Sequence, residues 1–225
     1  MGVSARCAGG VAPARSVVHD ADMIPDLTAV VLVGTLTPSP APSSSELLGR
    51  QVLAAMAPHG VVGTVVRLVD HDIRPGVEVD MGPGDEWPAI RQAVLAADIL
   101  VLATPIWMGQ PSSVTKRALE RLDGELSETD DEGRLLTSGK VAAVAVVGNE
   151  DGAHHTSAEL FQALNDVGFT IPSAAVTYWV GRAMEGTDYQ DLDETPQTTA
   201  GTTATLAVNA AHLARLLRTA PYPPT

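Results

Sequence analysis

The chain has 225 residues, 45% of them hydrophobic and 18% charged, which is typical of a globular protein with one sizeable core. Its net charge of −13 argues against nucleic acid and anionic membrane surfaces as partners, because both bind clustered Lys and Arg. Cys7 is the single cysteine, which excludes an intrachain disulfide and favours a reducing compartment. With no apolar run of membrane-spanning length, the cytoplasm is the predicted location.

Residues 1–28 mix Gly, Ala, Pro and charge without periodicity, which predicts a mobile N-terminal tail. After it, continuous apolar runs typical of strands buried on both faces alternate with segments of helical spacing. The predicted strands are 28–34, 61–69, 98–105, 140–148 and 170–179, the last irregular at Pro172, and the predicted helices are 43–57, 86–97, 112–123, 157–168 and 200–217.

This strict alternation predicts an α/β fold with a doubly wound five-stranded parallel sheet and helices on both faces. One domain over residues 29–219 is expected, followed by a C-terminal tail, 220–225. Two stretches, 70–85 and 181–199, show no clear element. Each is predicted to be an insertion that lies over the sheet edge or over the site. A third stretch, the acidic run 123–133, is predicted to be a solvated loop.

Ligands of an open α/β sheet bind beyond the carboxyl ends of its strands, so the loops that follow the strands locate the site. The loop after the first strand, Gly34–Glu46, is rich in hydroxyls and has no Lys or Arg. Hydroxyls beside the free N–H groups of a helix N-terminus form an uncharged cradle for a phosphate. The alternative is a capping box, Ser43-x-x-Glu46, which explains those two residues but not Thr35, Thr37, Ser39 and Ser45.

The loop after the third strand, Thr104–Ser113, places Trp107 and Met108 directly after a Thr-Pro-Ile end, with Gly109 permitting a turn. A large aromatic residue at this edge is suited to lining a flat ring. The alternative is that Trp107 belongs to the core or to an interface, because tryptophan is usually well buried.

The loop after the fourth strand concentrates Asn149, Glu150, Asp151 and the pair His154–His155 between Gly148 and a helix. Adjacent helical residues point about 100° apart, so the two imidazoles are poorly placed to ligate one metal ion, and no metal site is predicted. The functional interpretation is that this loop covers one edge of a bound ring, with a histidine donating to its oxygen. The structural interpretation is that Asp151 or Thr156 caps the helix and that the histidines are surface residues.

Together the three loops resemble the flavodoxin-like family, and within it the branch of NAD(P)H-dependent FMN reductases and quinone reductases. The resemblance covers residues 28–179, and its most specific part is ADILVLATPIWMGQPSSVTKRALERLD after the third strand. It implies the flavodoxin-like strand order 2-1-3-4-5. The chain departs from this branch in its first loop, which lacks the Arg of the common GSxRxxS pattern.

The resemblance implies FMN as the cofactor and NAD(P)H as the electron donor. The implied phosphate contacts are Thr35, Thr37, Ser43, Ser44 and Ser45; the implied ring contacts are Thr104, Pro105, Ile106, Trp107, Met108 and Gly109, and on the far side Gly148, Asn149, Glu150, Asp151, Gly152 and His155. No side chain is predicted to act as a catalytic acid or base.

The function implied by the resemblance is an oxidoreductase that passes a hydride from NAD(P)H through bound FMN to a small molecule. The acceptor would be a quinone, an azo or nitro compound, or a flavin. The resemblance also implies a homodimer or homotetramer, because members of this family often form such oligomers. Two alternatives are an electron-carrier flavoprotein of the flavodoxin type, which the acidic charge favours, and a flavodoxin-fold binding module without catalysis.

Overall fold

A computed structural model describes residues 27–183 and 185–224 of the chain. Its strands are β1 (Leu27–Val33), β2 (Val61–Arg67), β3 (Ile99–Trp107), β4 (Gln110–Pro111), β5 (Val141–Gly148) and β6 (Val176–Val180), and its α-helices are α1 (Ser44–Met56), α2 (Trp87–Ala96), α3 (Ser113–Leu122), α4 (Ala153–Asp166) and α5 (Gln197–Thr219).

Five strands pair in parallel in the order β2-β1-β3-β5-β6. This is the predicted order 2-1-3-4-5, because β4 is a two-residue strand that pairs antiparallel with the end of β3 and stands outside the parallel series. Alternate residues of β1, β3 and β5 enter two buried clusters, one on each face of the sheet. The doubly wound α/β fold is therefore confirmed.

The predicted fifth strand, 170–179, is shorter in the structure. Thr170 forms only an isolated bridge with Val141, and the regular strand begins at Val176. Pro172 has no N–H for a ladder, and Ala174 has a φ of 53°, outside the range of extended backbone. The chain therefore turns once before it rejoins the sheet.

Helix α4 begins at Ala153, four residues earlier than predicted. Its N-cap is Gly152, with a φ of 118° and no side-chain hydrogen bond, so neither Asp151 nor Thr156 caps the helix. The sequence contains no Ser, Thr, Asn or Asp at the N-cap position itself, which is why the helix start was predicted too late.

The prediction of a solvated acidic loop over 123–133 is wrong at Glu125, which is fully buried. Its carboxylate accepts hydrogen bonds from Arg91 at 2.5 and 3.1 Å. The partner Arg91 lies on α2, 34 residues earlier in the chain, so the pairing leaves no local sequence signal.

The segment 70–85 is organised by a buried arginine of α3, Arg121. Its guanidinium donates to the backbone carbonyls of Arg74 and Glu78 and pairs with Asp85 at 2.7 Å. Both side chains of this ion pair are completely buried, and the guanidinium also lies 5.6 Å from the centre of the Trp87 ring. The segment is thus tied to the face of the sheet that carries α3.

The structure describes the two predicted tails only in part. The N-terminal tail, 1–28, lies outside the described residues except for its last two, Leu27 and Thr28, which belong to β1. In the C-terminal tail, Tyr222 contacts the rest of the chain, because its hydroxyl lies 3.0 Å from that of Thr170 and its carbonyl accepts a hydrogen bond from Arg134. Among the described residues, none of the helices combines the length and apolarity that a membrane span requires.

Candidate functional site

A cleft of about 350 Å³ opens at the carboxyl ends of β1, β3 and β5. This volume lies within the usual range of small-molecule sites. Its lining residues are Thr35, Thr37, Pro42, Ser43, Ser44, Ser45, Pro105, Ile106, Trp107, Val147, Gly148, Asn149, Glu150, Trp179, Asp188, Tyr189 and Gln190.

One end of the cleft is formed by the N-terminus of α1. Ser43 is the N-cap, in extended conformation, and its hydroxyl accepts from the Glu46 N–H. The N–H groups of Ser44 and Ser45 lie in the first turn, where a helix provides no internal acceptor for them. This end therefore combines a helix cap with free N–H donors. The capping box and the phosphate cradle predicted for this loop are compatible.

This loop is supported by Arg67, a buried arginine of β2. The Arg67 guanidinium donates to the carbonyls of Thr37 and Ala41 at 3.1 and 2.8 Å and also pairs with Glu46. Burial raises the pKa of Glu46, but its bonds with Arg67 and Arg50 outweigh burial, and the net pKa lies below the ordinary value. Glu46 is thus held as a carboxylate and Arg67 fixes the loop from behind.

The middle of the cleft is bounded by the hairpin between β3 and β4. Met108 and Gly109 have φ angles of 54° and 73°, and positive φ at both central residues is what a type I′ turn requires. The turn carries Trp107, half exposed, to the mouth of the cleft and leaves Met108 91% exposed. The Met108 N–H donates to the Glu150 carboxylate at 2.6 Å, which joins this hairpin to the next loop.

The loop after β5 packs against the hairpin with almost no space between them. A Cβ on Gly148 would lie 2.8 Å from the Cβ of Ile106, and a Cβ on Gly152 would lie 2.8 Å from the Cα of Gly109. Between these glycines, Asn149 donates its amide Nδ2 to Asp188 at 2.7 Å. Its Oδ1 is buried and has no hydrogen-bond partner among the described residues.

The fourth wall is a strap, which we define as residues 185–196, running from the end of β6 towards α5. Its Tyr189 is buried, and the Tyr189 ring lies 5.5 Å from that of Trp179 while its hydroxyl donates to Gln51 at 2.6 Å. Gln190 donates its N–H to the Ser44 hydroxyl at 3.3 Å. Of the two placements predicted for 181–199, the strap therefore takes the one over the site.

The structure brings eleven of the predicted site residues together in the lining of the cleft. They are Thr35, Thr37, Ser43, Ser44, Ser45, Pro105, Ile106, Trp107, Gly148, Asn149 and Glu150.

Six other predicted residues lie outside this lining. Thr104 is completely buried, and its hydroxyl accepts from the Ser112 N–H and the Thr115 hydroxyl. His155 lies on α4, with its Nε2 at 2.8 Å from Gln110 Nε2, and it is not among the lining residues. Met108, Gly109, Asp151 and Gly152 are absent from the lining as well, and a Cβ on Gly152 would touch Gly109.

Six lining residues were not predicted: Pro42, Val147, Trp179, Asp188, Tyr189 and Gln190. Trp179 closes the predicted fifth strand, so its place at a strand end was a usable signal. The strap residues carry no local sequence signal of this kind. Their position depends on contacts with Asn149, Ser44 and Gln51, which are distant in sequence.

The chemistry of this lining fits FMN. The phosphate needs donors, which the α1 N-terminus and its hydroxyls supply. The ring N3–H and the ribityl hydroxyls need acceptors, and the lining carries the polar side chains of Asn149, Glu150, Asp188 and Gln190. The flat ring needs apolar and aromatic walls, which Ile106, Trp107 and Trp179 provide.

A comparison with protein families gives a match to the NADPH-dependent FMN reductases over residues 27–183. The chain belongs to this family. The resemblance to the NAD(P)H-dependent FMN reductases is thereby confirmed. The chain is an oxidoreductase whose cofactor is FMN.

Two individual proteins are similar to this FMN reductase family member over most of its length. It is 32% identical over 206 residues to 8-demethyl-8-aminoriboflavin-5′-phosphate synthase of Streptomyces davaonensis, covering 87% of this chain and 80% of that protein. It is 38% identical over 200 residues to the divalent metal cation transporter MntH of Mycobacterium bovis, but that match covers 85% of this chain and only 29% of the transporter.

Among solved structures, the crystal structure of RosB with the bound intermediate 8-demethyl-8-formylriboflavin-5′-phosphate superposes with a TM-score of 0.79 at 32% identity. The superposition covers 87% of this chain and 82% of RosB. A flavodoxin from the domain Archaea shares the fold at 9% identity with a TM-score of 0.54. The flavodoxin-like fold is therefore confirmed.

Proposed function

We propose that the chain is an NAD(P)H-dependent reductase of a small acceptor: a quinone, an azo or nitro compound, or free flavin. FMN supplies the redox chemistry when bound, because it accepts a hydride equivalent from a nicotinamide and reduces a second molecule. The protein binds, orients and shields that group. The observation that carries the proposal is one cleft that joins the N-terminus of α1 and its hydroxyls to walls formed by Ile106, Trp107 and Trp179.

Each wall has a distinct role in this proposal. The first turn of α1 holds the phosphate with Ser43, Ser44 and Ser45, and Arg67 keeps the loop in place. The loop that carries Asn149 and Glu150 borders the pyrimidine edge of the ring. Trp107 lines the mouth through which the donor and the acceptor pass in turn, so we expect ping-pong kinetics.

The test is a titration of the purified protein with FMN, followed by anaerobic NADH and NADPH. We expect the fluorescence of FMN to be quenched on binding, the visible flavin absorbance to fall after the nicotinamide is added, and turnover to begin when a quinone is supplied. A protein that neither quenches FMN nor oxidises NAD(P)H in the presence of FMN and a quinone contradicts the proposal. Binding of FMN without NAD(P)H oxidation favours the electron-carrier or binding-module alternative.

A second candidate is suggested by the synthase from Streptomyces davaonensis and by the RosB structure, both more similar to this chain than the flavodoxin is. In it, riboflavin 5′-phosphate is a substrate whose C8 methyl group is oxidised by dioxygen to a formyl group, released as an oxidised one-carbon fragment and replaced by the amino group of an amine donor. Mass spectrometry of flavin recovered after aerobic incubation with the protein and an amine donor separates the two, because a reductase returns FMN of unchanged mass. The cytoplasmic location and the dimer or tetramer stay predictions.

A further inference from the structure

The charged side chains of the cleft lining are all acidic. Glu150 of the loop after β5 and Asp188 of the strap belong to this lining, and no Lys or Arg does so among the described residues. The Glu150 carboxylate accepts from the Met108 N–H at 2.6 Å. The Asp188 carboxylate accepts from the Asn149 amide at 2.7 Å. Both bonds come from neutral donors, so they hold the two carboxylates in place without compensating their charge.

The strap extends this negative charge along one side of the mouth. Residues 185–196 contain five carboxylates and neither Lys nor Arg. Arg182, just before the strap, has a side chain that is 84% exposed and pairs with Glu185 at 3.5 Å. Arg67 is buried behind the loop after β1, where it is bonded to Glu46 and to two loop carbonyls. Both arginines therefore have a carboxylate partner, and the charge around the mouth stays negative.

NADH and NADPH differ at one position, the 2′-oxygen of the adenosine ribose. NADH has a hydroxyl there, which can donate to a carboxylate, whereas NADPH has a phosphate with nearly two negative charges at neutral pH. A cleft of about 350 Å³ is too small to hold FMN and a whole dinucleotide, so the adenosine half of the donor lies outside it, at the mouth. Charges interact there over ~10 Å at 0.1 M salt, so the carboxylates repel a 2′-phosphate without touching it.

We propose that the electron donor of this chain is NADH and that Glu150 and Asp188 are specificity residues that repel NADPH. The inference rests on the proposed reductase function and names the donor that this function leaves open. The matched family is described by its dependence on NADPH, so the preference is a property of this chain and not of the family.

The experiment measures kcat/KM for NADH and NADPH with the FMN-loaded protein and a quinone, for the wild-type chain, Glu150→Gln and Asp188→Asn. Each variant removes one negative charge but keeps an oxygen that can accept from the Met108 N–H or the Asn149 amide. We expect the wild-type chain to favour NADH by about tenfold at low ionic strength, and each variant to lower that preference about threefold. Added salt should lower the wild-type preference as well, because it screens the repulsion.

Binding of the oxidised nucleotides gives a second readout that does not depend on turnover. The dissociation constants of NAD⁺ and NADP⁺ are measured by calorimetry on the same FMN-loaded proteins. They should show the same preference for the nucleotide without the 2′-phosphate, and the same decrease of that preference in Glu150→Gln and Asp188→Asn.

The matched control is Asp131→Asn, which removes one exposed negative charge from the segment between α3 and β5, at the amino end of the sheet. It should leave both preferences unchanged. The inference is overturned if the wild-type chain uses NADPH as well as NADH or better. It is also overturned if Glu150→Gln and Asp188→Asn change the preference no more than Asp131→Asn does. FMN-loaded protein that oxidises neither nucleotide removes the proposed function itself, and the inference with it.

Discussion

Gly148 and Gly152 set the distance between the loop after β5 and the hairpin after β3. At both positions an added Cβ would lie only 2.8 Å from an atom of the β3–β4 hairpin. Gly152 also has a φ of 118°. A non-glycine residue at such a φ is strained independently of the available space. These two glycines therefore allow the two ring-side walls of the cleft to touch.

We predict that Gly152→Ala lowers the free energy of unfolding by about 1–3 kcal/mol, because it adds both backbone strain and a clash with Gly109. Urea denaturation measures this change. Gly201→Ala is the matched control, since Gly201 is exposed in α5 with no atom within 4 Å of an added Cβ. That change should stabilise the protein by about 0.5–1 kcal/mol, and equal losses for the two variants would contradict the prediction.

Arg121 is a second position where a single residue decides local structure. Its guanidinium pairs with the buried Asp85 and bonds two carbonyls of the segment 70–85. We predict that Arg121→Met costs about 3–5 kcal/mol of stability, because it leaves the Asp85 carboxylate buried without its cation. Thermal or urea unfolding measures the loss.

The control for this variant is Arg117→Met on the same helix, α3. Arg117 is exposed and donates to a single carbonyl, that of Ile73. We expect a loss of about 1 kcal/mol or less. A similar loss in both variants would mean that the buried ion pair with Asp85 has no special role in the stability of the chain.

At the scale of elements, helix α1 and strand β2 cooperate to form the phosphate end. Arg67 of β2 bonds the carbonyls of Thr37 and Ala41, while Glu46 of α1 keeps the arginine in place. We predict that Arg67→Met weakens FMN about tenfold more than it weakens riboflavin, because only FMN carries the phosphate that this loop would hold. Fluorescence quenching with both flavins measures the ratio.

Arg50→Met is the control for that prediction. Arg50 pairs with the same Glu46 but is 60% exposed and makes no bond to the loop carbonyls that Arg67 holds. Its FMN-to-riboflavin ratio should stay within about twofold of wild type. If Arg67→Met and Arg50→Met change the FMN-to-riboflavin ratio equally, the weaker FMN binding results from the lost ion pair with Glu46. The bonds of Arg67 to the loop carbonyls would then have no role in it.

The sequence predicted the buried strands well because strands covered on both faces read as continuous apolar runs, as 99–105 and 141–147 do. It predicted the ends of elements less well. The start of α4 depends on the φ of Gly152, and the two-residue β4 depends on the turn at Met108 and Gly109. The site was predictable where it follows strand ends and unpredictable in the strap, whose place is fixed by distant partners.

At the scale of the whole molecule, several carboxylates are more acidic than usual in the folded chain. Burial raises the pKa of Asp85, but the N–H groups of Met81, Arg74 and Trp87 and the Arg121 guanidinium outweigh it and lower the net pKa. Hydrogen bonds from the Ser39 hydroxyl and N–H lower the pKa of Asp70. These groups bind a proton less readily when folded than when unfolded.

We predict from these shifts that stability is full at neutral pH and falls as the pH drops through the folded pKa values of these groups, below the ordinary range for carboxyls. Urea denaturation from about pH 7 to about pH 3 measures the fall. The Asp85→Asn variant should have a lower free energy of unfolding at neutral pH, and that free energy should fall less steeply as the pH drops. The control is Asp131→Asn, because Asp131 is exposed. If Asp85→Asn leaves the slope of unfolding free energy against pH unchanged, Asp85 does not contribute to the acid sensitivity.

The arrangement of the three tryptophans gives the molecule a built-in optical reporter. Trp107 and Trp179 both line the cleft, whereas Trp87 is completely buried beneath α3, beside Arg121. Flavins absorb in the near-ultraviolet region where indoles emit, so excitation energy passes from an indole to a flavin placed beside it. The protein's own emission should therefore dim as the cleft fills, with the remote indole supplying a residual background.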